Sequence, residues 1–378
     1  MDHLTTLRHQ LHAHPELSGS EHDTHDRIVA HLREHAPGIE IAERVGGTGL
    51  LAIAAPESYT RTIVYRADTD ALPINEETGA PHASTTPGVM HACGHDGHAT
   101  IAVGLAEYFV KNPLKDTRLI VVFQPAEEIG TGAQAILSDP RFTELIDNPE
   151  ATRALAIHNL PGYPMGQLVL RAGPMCPASL GLRLVFEGIG GHSSQPHLSR
   201  SPLPPAAELV AQLKQLPERI ERAGSLVTIT HLSAGIDANF GITPDTAVLC
   251  ATLRALRSEH LDTLLTKALQ LAQRTAEDAA LTLEHTTHEQ FAAAVNDETL
   301  AAHVTDIAER ENLAYTTLDH PMPWSEDFGY FGDHFPAMLI GIGSGESQPH
   351  LHASTYDFPD ELIPLAVGKM QQTLSSHR

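Results

Sequence analysis

Apolar residues recur at helical spacing over residues 4–14 and 22–35, and Pro15 and Pro37 close the two segments. Short unbroken apolar runs follow at 49–54, 62–66, 118–123 and 153–157, a pattern that predicts buried strands. Between the second and third lies a helical stretch over 97–111, with Ile101, Leu105 and Phe109 on one face. Strand, helix and strand in this rhythm predict an α/β fold, a mostly parallel sheet with flanking helices.

The middle of the chain follows another rhythm. A strand at 180–187 precedes a helix at 205–216, strands at 225–232 and 246–256, a long helix at 259–279 and a strand at 281–286. This β-α-β-β-α-β order predicts a ferredoxin-like α+β unit of roughly a hundred residues. After Phe291 a helical pattern resumes, then a buried strand at 337–342 and a closing helix at 360–374. The first pattern returns, so the middle unit reads as an insertion. The expected division is 1–177 and 290–378 for the larger domain and 178–289 for the insert.

A length of 378 residues exceeds one ordinary core, in keeping with two domains. The net charge of −23 argues against a nucleic-acid partner, because phosphate binding needs clustered Lys and Arg. No apolar run approaches the roughly 18 residues that span a bilayer. The first residues lack the apolar core of a secretion signal, so a cytoplasmic protein with no membrane partner is expected. Cys93, Cys176 and Cys250 are too few, and odd in number, for a disulfide framework. Most of the 25 histidines must be ordinary surface residues, since one site uses only a handful.

Candidate chemistry gathers at the ends of the expected parallel strands. The run 62–66 leads to Asp68 and Asp70, 118–123 to Glu127 and Glu128, 153–157 to His158, and 337–342 to His350 and His352. Open α/β sheets bind their ligands beyond the carboxyl ends of the strands, so loops far apart in sequence converge there. Between the first two strands lies the densest cluster, Cys93-Gly-His95-Asp96-Gly-His98. Taken singly, each piece has a plain structural reading. Cys93 and His95 fit a buried thiol beside a structural histidine, and two adjacent acids fit a solvated turn. Glu127 and Glu128 can face one site only if the chain turns irregularly, which Pro125, Gly130 and Gly132 permit. Taken together, thiol, imidazole and carboxylate suit a first-row ion better than magnesium or calcium. The donors outnumber what one tetrahedral ion takes, which favours two ions.

The motifs resemble the aminoacylase and carboxypeptidase-type co-catalytic metallopeptidases, above all the branch with hippurate hydrolases, auxin–amino acid conjugate hydrolases and N-acetyl-diaminopimelate deacetylases. They include His12-Ala-His-Pro-Glu-Leu-Ser18, Tyr65-Arg-Ala-Asp-Thr-Asp-Ala-Leu-Pro73 and Met90-His-Ala-Cys-Gly-His-Asp-Gly-His-Ala99. Further along stand Phe123-Gln-Pro-Ala-Glu-Glu128, Ile157-His-Asn159, Gly190-Gly-His-Ser-Ser-Gln-Pro-His197, Ser325-Glu-Asp-Phe328 and Leu351-His-Ala353. The resemblance implies a zinc-peptidase-like fold whose insert serves as lid and dimerisation domain in a homodimer. It implies two divalent metal ions, Mn or Zn, held by Cys93, His95, Glu128, His158 and His352, with Glu127 as general base. Asp70 and Asp96 match the acids that orient ligating imidazoles. His192 matches a histidine that reaches the substrate carbonyl, while by itself it reads as a loop residue in a Gly-Ser turn. Arg254 and Asn239 match substrate contacts. Asn239-Phe-Gly-Ile-Thr-Pro244 replaces the Asn-Val-Ile-Pro of many relatives and Thr69 replaces Met, so acyl preference is expected to differ at these positions.

The implied activity is hydrolysis of the amide bond of a small-molecule N-acyl amino acid or related conjugate, by a metal-activated water with Glu127 as base. Two other readings remain. Cys93 could act as nucleophile of a metal-independent cysteine hydrolase, although nearby carboxylates would raise its pKa. A catalytically degenerate homologue could bind metal or ligand without turnover.

Overall fold

The computed structural model describes residues 2–220, 224–237 and 239–376. The chain divides into two compact units. The first comprises Met1–Met175, Ala294–Met322 and Glu326–Arg378, and the second Cys176–Ala293 with Pro323–Ser325.

Among the described residues the first unit holds an eight-stranded sheet. Its order is Glu40–Val45, Gly49–Ala54, Thr117–Gln124, Arg61–Asp68, Thr152–Pro161, Ala337–Gly345, Leu168–Leu170 and Tyr315–Thr317. The Arg61 strand runs parallel to both the Thr117 and Thr152 strands, and the Ala337 strand runs parallel to the Thr152 strand. All four therefore deliver their carboxyl ends to one edge. Their continuous apolar runs are explained by burial on both faces, as parallel sheets require. One face is covered by the helix His95–Lys111, whose Ile101, Leu105 and Phe109 are buried in a core shared with Leu4, Leu7 and Leu11 of the helix Asp2–Ala13 and with the helix Leu362–Ser375.

Three boundaries differ from the sequence expectation in a way that matters. The strands begun by Arg61 and Thr152 extend through Asp68 and His158, and the helix begins at His95 rather than at residue 97. The apolar runs stop short of these boundaries because buried polar side chains, Asp68, His95 and His158, stand there. The strand Glu40–Val45 had no apolar run to mark it, since it lies at the sheet edge and is mostly half-exposed.

The second unit is built on an antiparallel sheet ordered Leu226–Ala234, Thr246–Ala255, Ala178–Glu187 and Thr282–Phe291. Its two longer helices are Leu203–Lys214 and Ser258–Asp278. Ala247, Leu249, Ala251, Leu253 and Ala255 are buried in alternation, the signature of a strand with one covered face. The long helix answers with Leu261, Leu264, Ala268, Ala272 and Ala276 at helical spacing. This strand order is the ferredoxin-like one. No helix among the described residues is long and apolar enough to cross a membrane.

Candidate metal centre

Beyond the carboxyl edge of the parallel strands the first unit gathers a thiol, three imidazoles and two carboxylates. Cys93 Sγ lies 3.6 Å from His158 Nε2. His95 Nε2 stands 3.9 Å from Glu128 Oε1 and 4.0 Å from Glu127 Oε2, and His352 Nε2 stands 3.6 Å from Glu128 Oε1. The donor atoms form three overlapping sets, each within 4.8 Å: Cys93, His95 and His158; Cys93, Glu128 and His352; His95, Glu127 and Glu128. Cys93, His95, Glu127 and His158 are buried, whereas the His352 side chain is half exposed and marks the open side.

Local backbone geometry explains how these side chains meet. Gly94 takes φ +89° immediately before the helix, and a Cβ there would lie 2.8 Å from Asn159 Oδ1. The chain leaves the strand Thr117–Gln124 through Pro125 and turns at Ala126, which takes φ +52°. Gly130 N then donates to Glu127 O at 2.8 Å. Gly132 closes the turn so tightly that a Cβ would sit 1.6 Å from Pro125 O. That irregular turn lets consecutive acids face His95. His352 is likewise left-handed at φ +66°, and its N–H donates to Ala92 O at 2.9 Å, next to Cys93. Strained non-glycine backbone of this kind persists where surrounding structure enforces it.

The remaining ring nitrogens are held from behind. His95 Nδ1 meets the Asp70 carbonyl at 3.0 Å and its Oδ1 at 3.2 Å. His158 Nδ1 bonds Asn159 O at 2.9 Å. Asp70 Oδ2 also accepts from Ser18 Oγ at 2.7 Å and from Glu128 N at 3.0 Å, so one buried acid orients two donors. In consequence His95 Nε2 and Glu128 Oε1 are buried and turned inward without a hydrogen-bond partner.

The electrostatics point the same way. Burial, then the charges of Glu326, Glu128 and Asp327, push the Glu127 carboxyl well above its usual range. Burial raises Glu128 to about 7, and burial followed by Glu128 drives the Cys93 thiol up. Burial, with His98 next to it, lowers His158. A divalent cation among these donors would reverse the penalty on the thiol and acids, and two inward-facing orphan atoms are the places for it to bond. Sulfur and imidazole donors fit a first-row ion.

Asp96 turns toward the helix Asp2–Ala13. Its Oδ2 bonds His12 Nδ1 at 2.8 Å and Arg8 at 3.4 Å. Successive residues of a helix point about 100° apart, so the side chain after His95 turns to the neighbouring helix. His98, three residues on, returns to the side of His95 and is held instead by Asp68 at 2.6 Å. A further group had no assigned role in the sequence reading. The buried Arg66 guanidinium bonds Gln124 at 2.9 Å, Glu326 at 2.8 Å and Asp327 at 2.8 Å, and it also pairs with Asp68. Asp327 N in turn donates to Glu127 Oε1 at 3.3 Å. The arginine and both acids stand inside motifs already noted, yet alternation along a strand does not reveal which buried charges will pair.

His192, Asn239 and Arg254 belong to the second unit. His192 is exposed on the short strand Gly191–His192, and its Nδ1 accepts from Ser194 N at 3.1 Å. Asn239 is exposed in the turn that precedes Ile242–Thr243. Arg254 is half-buried, and its NH1 donates to Ser325 Oγ at 2.7 Å. His350 is exposed and belongs to none of the three donor sets.

A mostly parallel sheet with such a donor cluster beyond its strand ends is an arrangement suited to metal-assisted hydrolysis. Residues 64–375 match the pattern of peptidase family M20/M25/M40, and the chain belongs to that family. It is 33% identical over 365 residues to the N-acetyldiaminopimelate deacetylase of Leuconostoc citreum (strain KM20), covering 95% of this chain and 92% of the relative. It is 31% identical over 379 residues to the protein of that name from Listeria monocytogenes serotype 4b (strain CLIP80459), covering all of both chains. Among solved structures it is similar to the Bacillus subtilis YXEP protein, described as a dinuclear metal binding peptidase from the M20 family. That similarity has a TM-score of 0.82 at 26% identity and covers 99% of this chain and 97% of that one.

Proposed function

We propose that this hydrolase cleaves the amide bond of an N-acyl amino acid, using two divalent ions, manganese or zinc, held by Cys93, His95, Glu128, His158 and His352. The observation that carries the reading is the convergence of these five donors with Glu127, two of the donor atoms being buried and unbonded. When bound, the ions supply Lewis acidity that makes water a nucleophile near neutral pH and polarises the carbonyl. Glu127 takes a proton as the water oxygen attacks the carbonyl carbon, then delivers it to the amine nitrogen as the C–N bond breaks. Asp70 fixes the His95 ring, and the Arg66–Asp327 pair holds the peptide N–H that bonds Glu127. His192 stabilises the oxyanion, a donor typically worth about 2.7–4 kcal/mol. Arg254 and Asn239 contact the amino-acid portion, and the second unit acts as lid and dimerisation domain of a cytoplasmic homodimer.

A nucleophilic Cys93 is disfavoured by its surroundings. Burial and Glu128 both raise its pKa, so without a cation it would remain a protonated, weakly reactive thiol. The relatives' name makes N-acetyldiaminopimelate the first substrate to try, followed by N-benzoyl, long-chain acyl and indole-acyl amino acids. Release of free amino acid from at least one of these is expected, with loss on chelation and recovery on adding Mn²⁺ or Zn²⁺. Undiminished turnover after exhaustive chelation would instead favour the cysteine mechanism, and ligand binding without product would favour a non-catalytic relative.

A further inference from the structure

A second cluster of metal-ligating side chains lies on the helices of the first unit, away from the centre just described. His3 comes from the helix Asp2–Ala13, His31 from His22–His35, and Glu107 from His95–Lys111. His3 Nε2 lies 3.2 and 2.9 Å from the two Glu107 carboxylate oxygens, and His31 Nε2 lies 3.0 Å from one of them. The three donor atoms fall within 4.8 Å of one another. Glu107 stands twelve residues after His95 on the same helix, about 18 Å along its axis, so the two clusters are separate sites.

We infer that His3, His31 and Glu107 form an accessory site for a first-row transition-metal ion, with His35 as an additional donor at its rim. An ion about 2.0–2.1 Å from nitrogen and oxygen donors keeps cis or tetrahedral neighbours about 2.9–3.4 Å apart. The observed nitrogen–oxygen separations of 2.9, 3.0 and 3.2 Å lie in that range. Two imidazoles and one carboxylate select zinc, nickel or copper over magnesium or calcium. His31 and His35 occupy i and i+4 on one helix, the spacing that puts two imidazoles on one metal-binding face. Their rings lie 4.3 Å apart, and the His35 ring lies 4.7 Å from that of His3. A surface cavity of about 470 Å³ adjoins the cluster and is lined by His3, His31 and His35 with Arg27 and Glu34, giving an ion a way in.

The site differs from the first in purpose. None of its donors is a residue of the catalytic proposal, and they come from three helices, one of which carries His95 at its start. Its occupant therefore braces the helical layer.

The unaltered enzyme soaked in zinc and measured by anomalous diffraction provides the test. A peak within bonding distance of His3 Nε2, His31 Nε2 and Glu107 is expected, and its absence at millimolar zinc overturns the inference. In solution, equilibrium dialysis should show His31→Gln binding fewer Zn²⁺ by about one ion per chain while hydrolysis is retained. Equal zinc content in the variant and the parent counts against the site. If His31→Gln fails to fold, the soak of the unaltered chain decides alone. Neither readout depends on what the first centre does.

Discussion

Two imidazole–carboxylate clusters share the helix His95–Lys111, and they differ in how their donors are spaced. At the start of the helix, His95 and His352 keep 3.6–4.0 Å from the acids they face, too far for a hydrogen bond. Asp70 draws the His95 ring back, the strained backbone at His352 sets its approach, and burial leaves the inward atoms unbonded. Near the other end, His3 and His31 have closed onto Glu107 at 2.9–3.2 Å, and the His3 ring stays partly open to solvent. The first arrangement is pre-organised for a ligand larger than a proton. The second has its imidazoles already hydrogen-bonded to the carboxylate. Donor types alone would not have told the two apart; the groups behind them do.

Breaking the first cluster at its base should have the largest effect. Glu127→Gln keeps the shape of the side chain but cannot accept a proton, so turnover should fall by about 10²–10⁴-fold while metal content holds. Steady-state hydrolysis paired with metal analysis checks this, and an active variant would remove Glu127 from the chemistry. A smaller effect is expected from Asp70→Asn, which weakens the support behind His95 and Glu128. Such outer partners typically govern metal affinity or activity by about 10–100-fold. Competition with a chromogenic chelator should register that loss in the first cluster and none at His3 and His31; equal loss at both would erase the distinction.

The smallest effect concerns Asp96, where the same helix makes an ordinary salt bridge. Burial works against a charged His12, but Asp96 outweighs it and raises His12 to about 10. Its folded pKa exceeds the unfolded value of 6.5, so this stabilisation is complete below pH 6.5 and fades as pH rises through 10. His12→Asn should therefore lower the urea midpoint most near pH 6, and the gap should narrow in alkaline buffer. A gap that widened with pH would contradict the assignment.

The parts legible in the sequence were those where chemistry follows a regular element. Glu127, Glu128, His158 and His352 each follow the apolar run of a buried strand, and Cys93 and His95 stand two residues apart. The Asp96 contacts with His12 and Arg8 were not legible, because motif adjacency hides helical rotation, which sends neighbouring side chains to different surroundings. The Arg66 network was illegible for a different reason. Its partner Glu326 lies 260 residues away, and only the folded sheet brings them together. The His3–His31–Glu107 cluster was lost among 25 histidines because its members come from three helices and share no motif.

The most direct test of the central claim is a metal titration of the chelated Glu107→Gln variant, in which ions bound and N-acyl amino acid hydrolysed are measured together. The account predicts no turnover in the stripped protein and full activity once about two ions per chain are bound. Full activity with no metal bound, or saturation of activity by an ion that leaves Cys93 and His95 uncoordinated, would contradict it.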